Sequence, residues 1–311
     1  MFFCGDDVGI LHANGNRYGT VDKSKKIIKL IRHNEAVVVA RESMIEIWTE
    51  GVCEKSCQLD QNAIDTYLYN NDIIIIQLNA VLIMNCNHLK IKQSIDGNFN
   101  NFIHFENGYI FLGGDSLQII SLGVSKNLEP VEALTECKQI FKSKQKKNAF
   151  NGVDELNYNC AFITSLTTFI ATSKNTLHFF DMSHGQRPVK IISVGLISFN
   201  LCRAIFDSQM ILSDVEGNVY VYDYVKCVQI RKFKDPETRS CAVDFDILKN
   251  EIFIAYLDRY VRSFNIETGK LLNKAFLKNK LTAVMTQPEH EADDENTDVW
   301  DDIPAKRRKI E

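Results

Sequence analysis

Apolar runs in this chain are short, and seven of them stop on a small polar residue. They end at Asn14, Thr49, Asn85, Ser121, Asp181, Asp223 and Asn265, over the segments 9–14, 45–49, 81–85, 117–121, 177–181, 219–223 and 261–265. Runs of four to six residues rich in β-branched and aromatic side chains predict strands rather than helices. The polar residue at each end suits the turn that follows, because its side-chain oxygen can accept a hydrogen bond from backbone two residues on. The end positions step by 35, 36, 36, 60, 42 and 42 residues. A β-rich unit recurring about every forty residues cannot cover its own faces and must pack against its neighbours.

Each repeat reads as strand, turn, strand, turn, strand. The fifth has Phe169 to Thr172, a turn at Ser173-Lys174-Asn175, then Leu177 to Asp181; the sixth has Met210 to Leu212, a turn at Glu216-Gly217-Asn218, then Val219 to Asp223. Such Gly and Asn turns between apolar runs are hairpin signals. Inner strands precede the hairpins at Cys160 to Ile163, Leu201 to Ile205 and Cys241 to Phe245, and one more at Leu281 to Met285 has no hairpin behind it. The amino terminus shows the opposite deficit: Phe2-Phe3-Cys4 and Gly9 to Asn14 form a hairpin with nothing in front. The two ends therefore complete one shared blade, closing a seven-bladed, all-β propeller over residues 1–286. An open solenoid, the other repeat architecture considered, does not require matching deficits at the ends. The 60-residue step marks an insertion of about 20 residues over the regular spacing, around 124–155, and insertions on a scaffold often carry function.

Composition is that of an ordinary globular protein, with 45% hydrophobic and 24% charged residues. No signal peptide is legible, and the longest apolar stretch, Ile73 to Cys86, is broken by Gln77, Asn79 and Asn85, too short and polar to span a bilayer. Nine cysteines are scattered singly from Cys4 to Cys241 and read as buried, reduced thiols. The net charge of -4 divides unevenly: residues 287–311 carry -5 and the rest +1. The body is thus neutral, and only local patches bear on nucleic-acid binding.

Catalytic signatures are sparse. There is no Gly-x-Ser-x-Gly and no phosphate-cradling glycine loop. Cys86-Asn87-His88 lacks a partner cluster and reads as a turn beside a strand. His178, alternating with Leu177 and Phe179, reads as a blade-surface or satisfied inter-blade histidine rather than a general base, and Asp258-Arg259 as a structural turn. The reading is of a non-enzyme with no cofactor, metal or small-molecule substrate, and no membrane association.

Two lysine runs stand out. Lys138, Lys142, Lys144, Lys146 and Lys147 fall in ten residues within the insertion, flanked by Phe141 and Phe150, and Lys23, Lys25, Lys26, Lys29 and Arg32 cluster near a second connection. Exposed lysines on a loop neutralise phosphates and suit RNA or an acidic partner; a solvated loop is the plain alternative. The segment from Gln287 is too acidic to fold alone and reads as a disordered tail. Within it, Val299 and Trp300 stand among carboxylates as a candidate docking motif, and Lys306, Arg307, Arg308 and Lys309 form a nuclear-import-like cluster.

Taken in order, these pieces resemble one family. Only Ile47-Trp48-Thr49 has the Trp of a Trp-Asp repeat ending, and only Phe180-Asp181 and Tyr222-Asp223 have the Asp. Yet Phe180-Asp181 followed by Gln186-Arg187-Pro188-Val189 is similar to that family's Tyr-Asp and Arg-Arg-Pro-Val. Leu257-Asp258-Arg259-Tyr260-Val261-Arg262 resembles its Leu-Asp-Arg-x-hydrophobic-Arg. Phe276 to Leu281 is similar to its Tyr-Leu-Lys-Ser-Gln-Leu, Asp298-Val299-Trp300 to its Glu-Leu-Trp, and Asp7 to Leu11 to its Thr-Gly-Ile-Leu. The family is that of the nucleolar WD-repeat assembly factors of the pre-60S ribosomal particle, which includes Nop-seven-associated protein one and WD-repeat protein seventy-four. Where these carry Asn-Asp-Trp-Leu-Asp-Leu and Val-Pro-x-Trp, the connection from Lys138 to Leu156 here is lysine-rich with Asn148-Ala149-Phe150.

The resemblance implies a non-enzymatic scaffold in the nucleus and nucleolus, bound to early pre-60S particles containing pre-rRNA and other assembly factors. It also implies release by a AAA-type ATPase, and structural roles for Arg187, Pro188, Asp258 and Arg259. Two other classes compete: an adaptor subunit of an enzyme such as a tRNA methyltransferase or ubiquitin ligase, and a propeller hydrolase, which needs converging carboxylates or metal ligands at the channel mouth.

Overall fold

A computed structural model describes residues 2–13, 16–18, 26–114, 116–124, 134–143, 157–195, 197–206, 208–233, 235 and 240–286. These form seven four-stranded antiparallel sheets. Blades 1 to 6 are continuous in sequence, spanning 27–58, 63–96, 102–142, 158–193, 199–233 and 242–276. Blade 7 is composite: Leu281–Thr286 is its inner strand and pairs antiparallel with Phe2–Asp6, followed outward by Leu11–Ala13 and Asn16–Tyr18. The ends complete one another as their deficits predict. The only helical element among the described residues is a 3-10 turn, Met182–His184.

The polar strand endings act as foreseen in four blades. Asn85 accepts hydrogen bonds from the amides of Asn87 and His88, Asp181 from Ser183, Asp223 from Val225 and Lys226, and Asn265 from Thr268. Each tightens the turn to the outer strand. Ser121 differs. Its strand runs on to Val124 and pairs with an outer strand, Leu134–Lys142. About a quarter of the segment expected as an inserted loop is therefore the fourth strand of blade 3, 9 residues long. In blade 5, Gly217 takes φ of 86° and lies against the Ser240 backbone, an approach that a Cβ would block.

Packing explains the unbroken apolar runs. Both faces of a blade are covered, so alternate residues of one strand serve two different junctions. Ile73 and Ile75 pack toward Val38 and Ile45 of blade 1, whereas Ile74 and Ile76 pack toward Phe105 and Ile110 of blade 3. Seven apolar layers result, one per junction. The junction of blades 3 and 4 is aromatic: Phe169 and Phe180 stack at 4.8 Å, with Phe141 edge-on to both at 5.1 and 5.6 Å. Phe141 is thus a core side chain and not a flank of a binding loop.

The cysteines correct the sequence expectation. Cys4, Cys86 and Cys160 are buried, but Cys53 is exposed on the outer strand of blade 1, and Cys57, Cys202, Cys227 and Cys241 are half-buried. All eight are free thiols. No helix among the described residues is long and apolar enough to cross a membrane.

A chain ending at Lys280 loses the inner strand of blade 7 and exposes the edge of Phe2–Asp6. It should lose cooperative thermal unfolding, while a chain ending at Thr286 keeps it; circular dichroism melts of the two truncations check this.

Candidate functional site

Every inner strand carries a β-bulge at its second residue. The register skips Ile28, Ile64, Ile103, Asn159, Asn200, Val243 and Thr282, one per blade. A bulge bends the strand and re-aims the extra side chain, and here all seven line the mouth of the central channel. The residues divide by chemistry. Asn159 donates through Nδ2 to the carbonyl of Phe199, Asn200 to that of Ala242 at 2.6 Å, and Thr282 through its hydroxyl to that of Ile27 at 2.6 Å. In each case the acceptor is the first inner-strand residue of the next blade, so these three bulges staple neighbours together. Ile28, Ile64 and Ile103, on three successive blades, have no such bond to make and form an apolar arc.

Below the mouth the channel holds charges. Asp244 lies 3.4 Å from Arg203 and 3.9 Å from Lys29, and accepts from the Val284 amide at 3.1 Å. Asp246 accepts from the Thr286 amide at 2.7 Å and hydroxyl at 2.9 Å, and lies 3.9 Å from Arg32, which also donates to the Thr286 carbonyl. The inner strand of blade 7 is thereby gripped from blades 6 and 1 together. Glu106 is 3.7 Å from His104 and accepts from the Ile163 amide at 2.8 Å. Asp65 accepts from the Tyr67 hydroxyl at 2.8 Å and from the Thr66 amide at 2.7 Å. Burial first, and then the Asp65 carboxylate, hold the Tyr67 hydroxyl well above the usual phenol range.

Asp244, Asp246 and Glu106 are each engaged by a cation or His104 and by a backbone amide. Among the described residues no three His, Cys, Asp or Glu side chains converge to hold a metal ion. Cys86, Asn87 and His88 form the turn after a strand, capped by Asn85. His178 is buried between the Tyr158 hydroxyl at 3.3 Å and the Thr176 hydroxyl at 2.9 Å, and burial lowers its pKa to about 4. It stays neutral, with both hydrogen-bond partners in its own blade.

The sequence-predicted residues are dispersed. Lys142 is exposed at the end of the outer strand of blade 3, and Lys138 lies on the same strand; lysines there also discourage edge-to-edge pairing. Lys144, Lys146, Lys147, Phe150, Val299, Trp300, Lys306, Arg307, Arg308 and Lys309, like Lys23 and Lys25, lie outside the described residues. Their flanks are informative: Ser143 and Tyr158 bond to the backbone of Leu117 and Gly114, in the turn on the face where the inner strands begin. The lysine-rich connection therefore leaves and re-enters on the face of the channel mouth. Arg187 is exposed and Pro188 half-buried after the 3-10 turn, away from that mouth.

Asp258 and Arg259 do form a structural turn, with Arg259 at φ of 73°. The residue that this turn serves went unnoticed in the sequence. Arg262 is 1% exposed; its Nε donates to Asp235 at 2.6 Å, and its two terminal nitrogens to Asp258 at 3.1 and 2.7 Å. The guanidinium also lies over the rings of Tyr256 and Tyr260, at 4.6 and 4.9 Å. Its signal was a single cation within the apolar strand Tyr260–Asn265. Removing one partner of a buried pair strands the other charges, so Arg262→Ala should cost about 3–5 kcal/mol, measured as a lowered urea midpoint.

No protein-family model matches the chain. A WD repeat-containing protein of Dictyostelium discoideum is 24% identical over 240 residues, 74% of this chain, which spans 45% of that relative's length. The ribosome biogenesis protein nsa1 of Schizosaccharomyces pombe is 23% identical over 320 residues, covering 89% of this chain and 81% of nsa1. Among solved structures, the WD40 β-propeller domain of Doa1 superposes with a TM-score of 0.62 at 11% identity, covering 90% of each chain. The computationally designed Ika8 protein superposes at 0.60 and 12% identity, covering 85% of this chain and 92% of its own. The chain is a seven-bladed propeller of WD40 type, distantly similar in sequence to a WD repeat protein and to a ribosome biogenesis protein.

Proposed function

We propose that this chain is a non-enzymatic scaffold in large-subunit ribosome biogenesis and rRNA processing, binding early pre-60S particles in the nucleolus. The observation that carries the reading is the similarity to nsa1, which runs over 89% of the chain and so covers the propeller rather than one shared motif. The architecture supports it: a closed ring offers rigid faces for protein contacts, and its channel charges are mostly consumed in holding blades together. Partners on this reading are pre-60S assembly factors and pre-rRNA, with a AAA-type ATPase releasing the protein.

Lys138 and Lys142 stand on an outer strand, and Lys144, Lys146 and Lys147 follow in the connection that opens on the channel-mouth face. They are the proposed contact to RNA or an acidic partner. Val299 and Trp300 supply a docking motif, and Lys306 to Lys309 the import signal. Arg187, Pro188, Asp258 and Arg259 are assigned to the framework.

Reversing Lys142, Lys144, Lys146 and Lys147 to Glu should weaken co-sedimentation with large-subunit precursors by about tenfold or more at physiological salt, since each neutralised phosphate contributes to a steep salt dependence. Undiminished co-sedimentation removes these lysines from the account. Deleting 304–311 should reduce nuclear accumulation of a fluorescently tagged chain several-fold, and unchanged localisation would sink the import assignment.

A further inference from the structure

Exposed cations gather at the rim of blade 6, on the face where the inner strands begin. Turn 257–259 lies beside connection 277–280 there, because the Leu277 amide donates to the Arg259 carbonyl at 2.8 Å. The far end of the connection is tied to blade 7: the Asp7 amide donates to the Lys280 carbonyl at 3.0 Å, and the Asn279 side chain to Asp6 at 2.9 Å. Leu277 and Asn279 are half-buried, whereas Arg259, Lys278 and Lys280 are exposed and form no ion pair among the described residues. Asp235 and Asp258 are taken by Arg262, the former also by Lys274. The neighbouring turns add one carboxylate each, Asp7 on blade 7 and Glu216 on blade 5, so the rim keeps a positive charge. Phe276 ends the outer strand beside these cations; it is 58% exposed, its ring braced against Tyr260 at 5.1 Å.

We propose that this rim binds single-stranded RNA, one base stacking on Phe276 and the flanking phosphates lying on Arg259, Lys278 and Lys280. An open aromatic face beside unpaired cations matches the two parts of a single-stranded nucleotide, since every base has a π-face and every linkage a negative charge. A duplex offers the phosphates but keeps its base faces covered. An acidic peptide would use the cations and leave the Phe276 ring in water. The platform is also ordered in advance. Arg259 serves the framework through its backbone, and the connection that carries Lys278 and Lys280 is bonded at both ends, so little ordering remains to be done on binding. The inference rests on the reading of an RNA-bound scaffold and adds a contact on blade 6, separate from the lysines of blade 3.

The test is fluorescence anisotropy of a labelled uridine decamer titrated with the full purified chain. The chain carries Lys142→Glu, Lys144→Glu, Lys146→Glu and Lys147→Glu, which removes the blade 3 lysines from the measurement. Binding should be saturable, and adding Phe276→Ala should weaken it about tenfold through the lost stacking. Adding Lys278→Gln with Lys280→Gln instead should flatten the slope of log affinity against log salt by about 1.4, which is about 0.7 for each of two phosphates. These positions are exposed, so the thermal midpoint should not move. A decamer carrying 5-bromouridine should cross-link, on irradiation, to the peptide that contains Phe276. Absence of saturable binding, undiminished affinity in Phe276→Ala, or equal affinity for a ten-base-pair RNA duplex would each overturn the proposal. So would an alternating Glu-Ala decapeptide that binds as tightly as the RNA, which would reassign the rim to an acidic protein. Co-sedimentation with large-subunit precursors is read separately, so failure of the rim and failure of the scaffold reading give different results.

Discussion

The structure depends on the pairing of Leu281–Thr286 with Phe2–Asp6. Six blades are local in sequence, but the seventh is assembled from the two ends, and without it the ring has two open edges. The pairing is strengthened from both sides. Asp244 and Asp246 of blade 6 accept from the amides of Val284 and Thr286, and Arg32 of blade 1 donates to the Thr286 carbonyl. Thr282 adds a bond to the carbonyl of Ile27. Backbone groups that would terminate an edge strand are thus matched by side chains of both neighbours, and the closed ring follows.

That arrangement also commits many of the channel's charges to holding blades together. Inner strands in a propeller run close together, and charged side chains aimed inward lie within reach of one another. Asp244 serves Arg203, Lys29 and the Val284 amide at once. A carboxylate committed in this way holds blades in place. Asp65 departs from this pattern, and it lies where three successive apolar bulges open the mouth.

Much of this was legible in the residues. The spacing of polar strand endings, the hairpin turns and the complementary deficits at the termini define seven blades with the closure in place, and Asn85, Asp181, Asp223 and Asn265 cap turns as their chemistry suggests. Ser121 misled because an Asn, Asp, Ser or Thr inside a strand looks the same as one at its end; the outer strand 134–142 was hidden behind that error. Phe141 beside lysines resembled a binding aromatic, although Phe141 packs into the core while its neighbour Lys142 points to solvent. Arg262 lies within a strand motif, but a buried cation is recognisable only once Asp235 and Asp258 are seen around it. The bulge ring had no sequence signature, since Ile, Asn, Val and Thr share its seven positions.

The central claim is that this propeller is a scaffold on large-subunit precursors, and affinity purification of the full tagged chain, with identification of the bound RNA and proteins, tests it most directly. The account predicts recovery of large-subunit pre-rRNA together with several assembly factors. Recovery of one stoichiometric enzyme partner without pre-rRNA would contradict it and make the propeller an adaptor subunit.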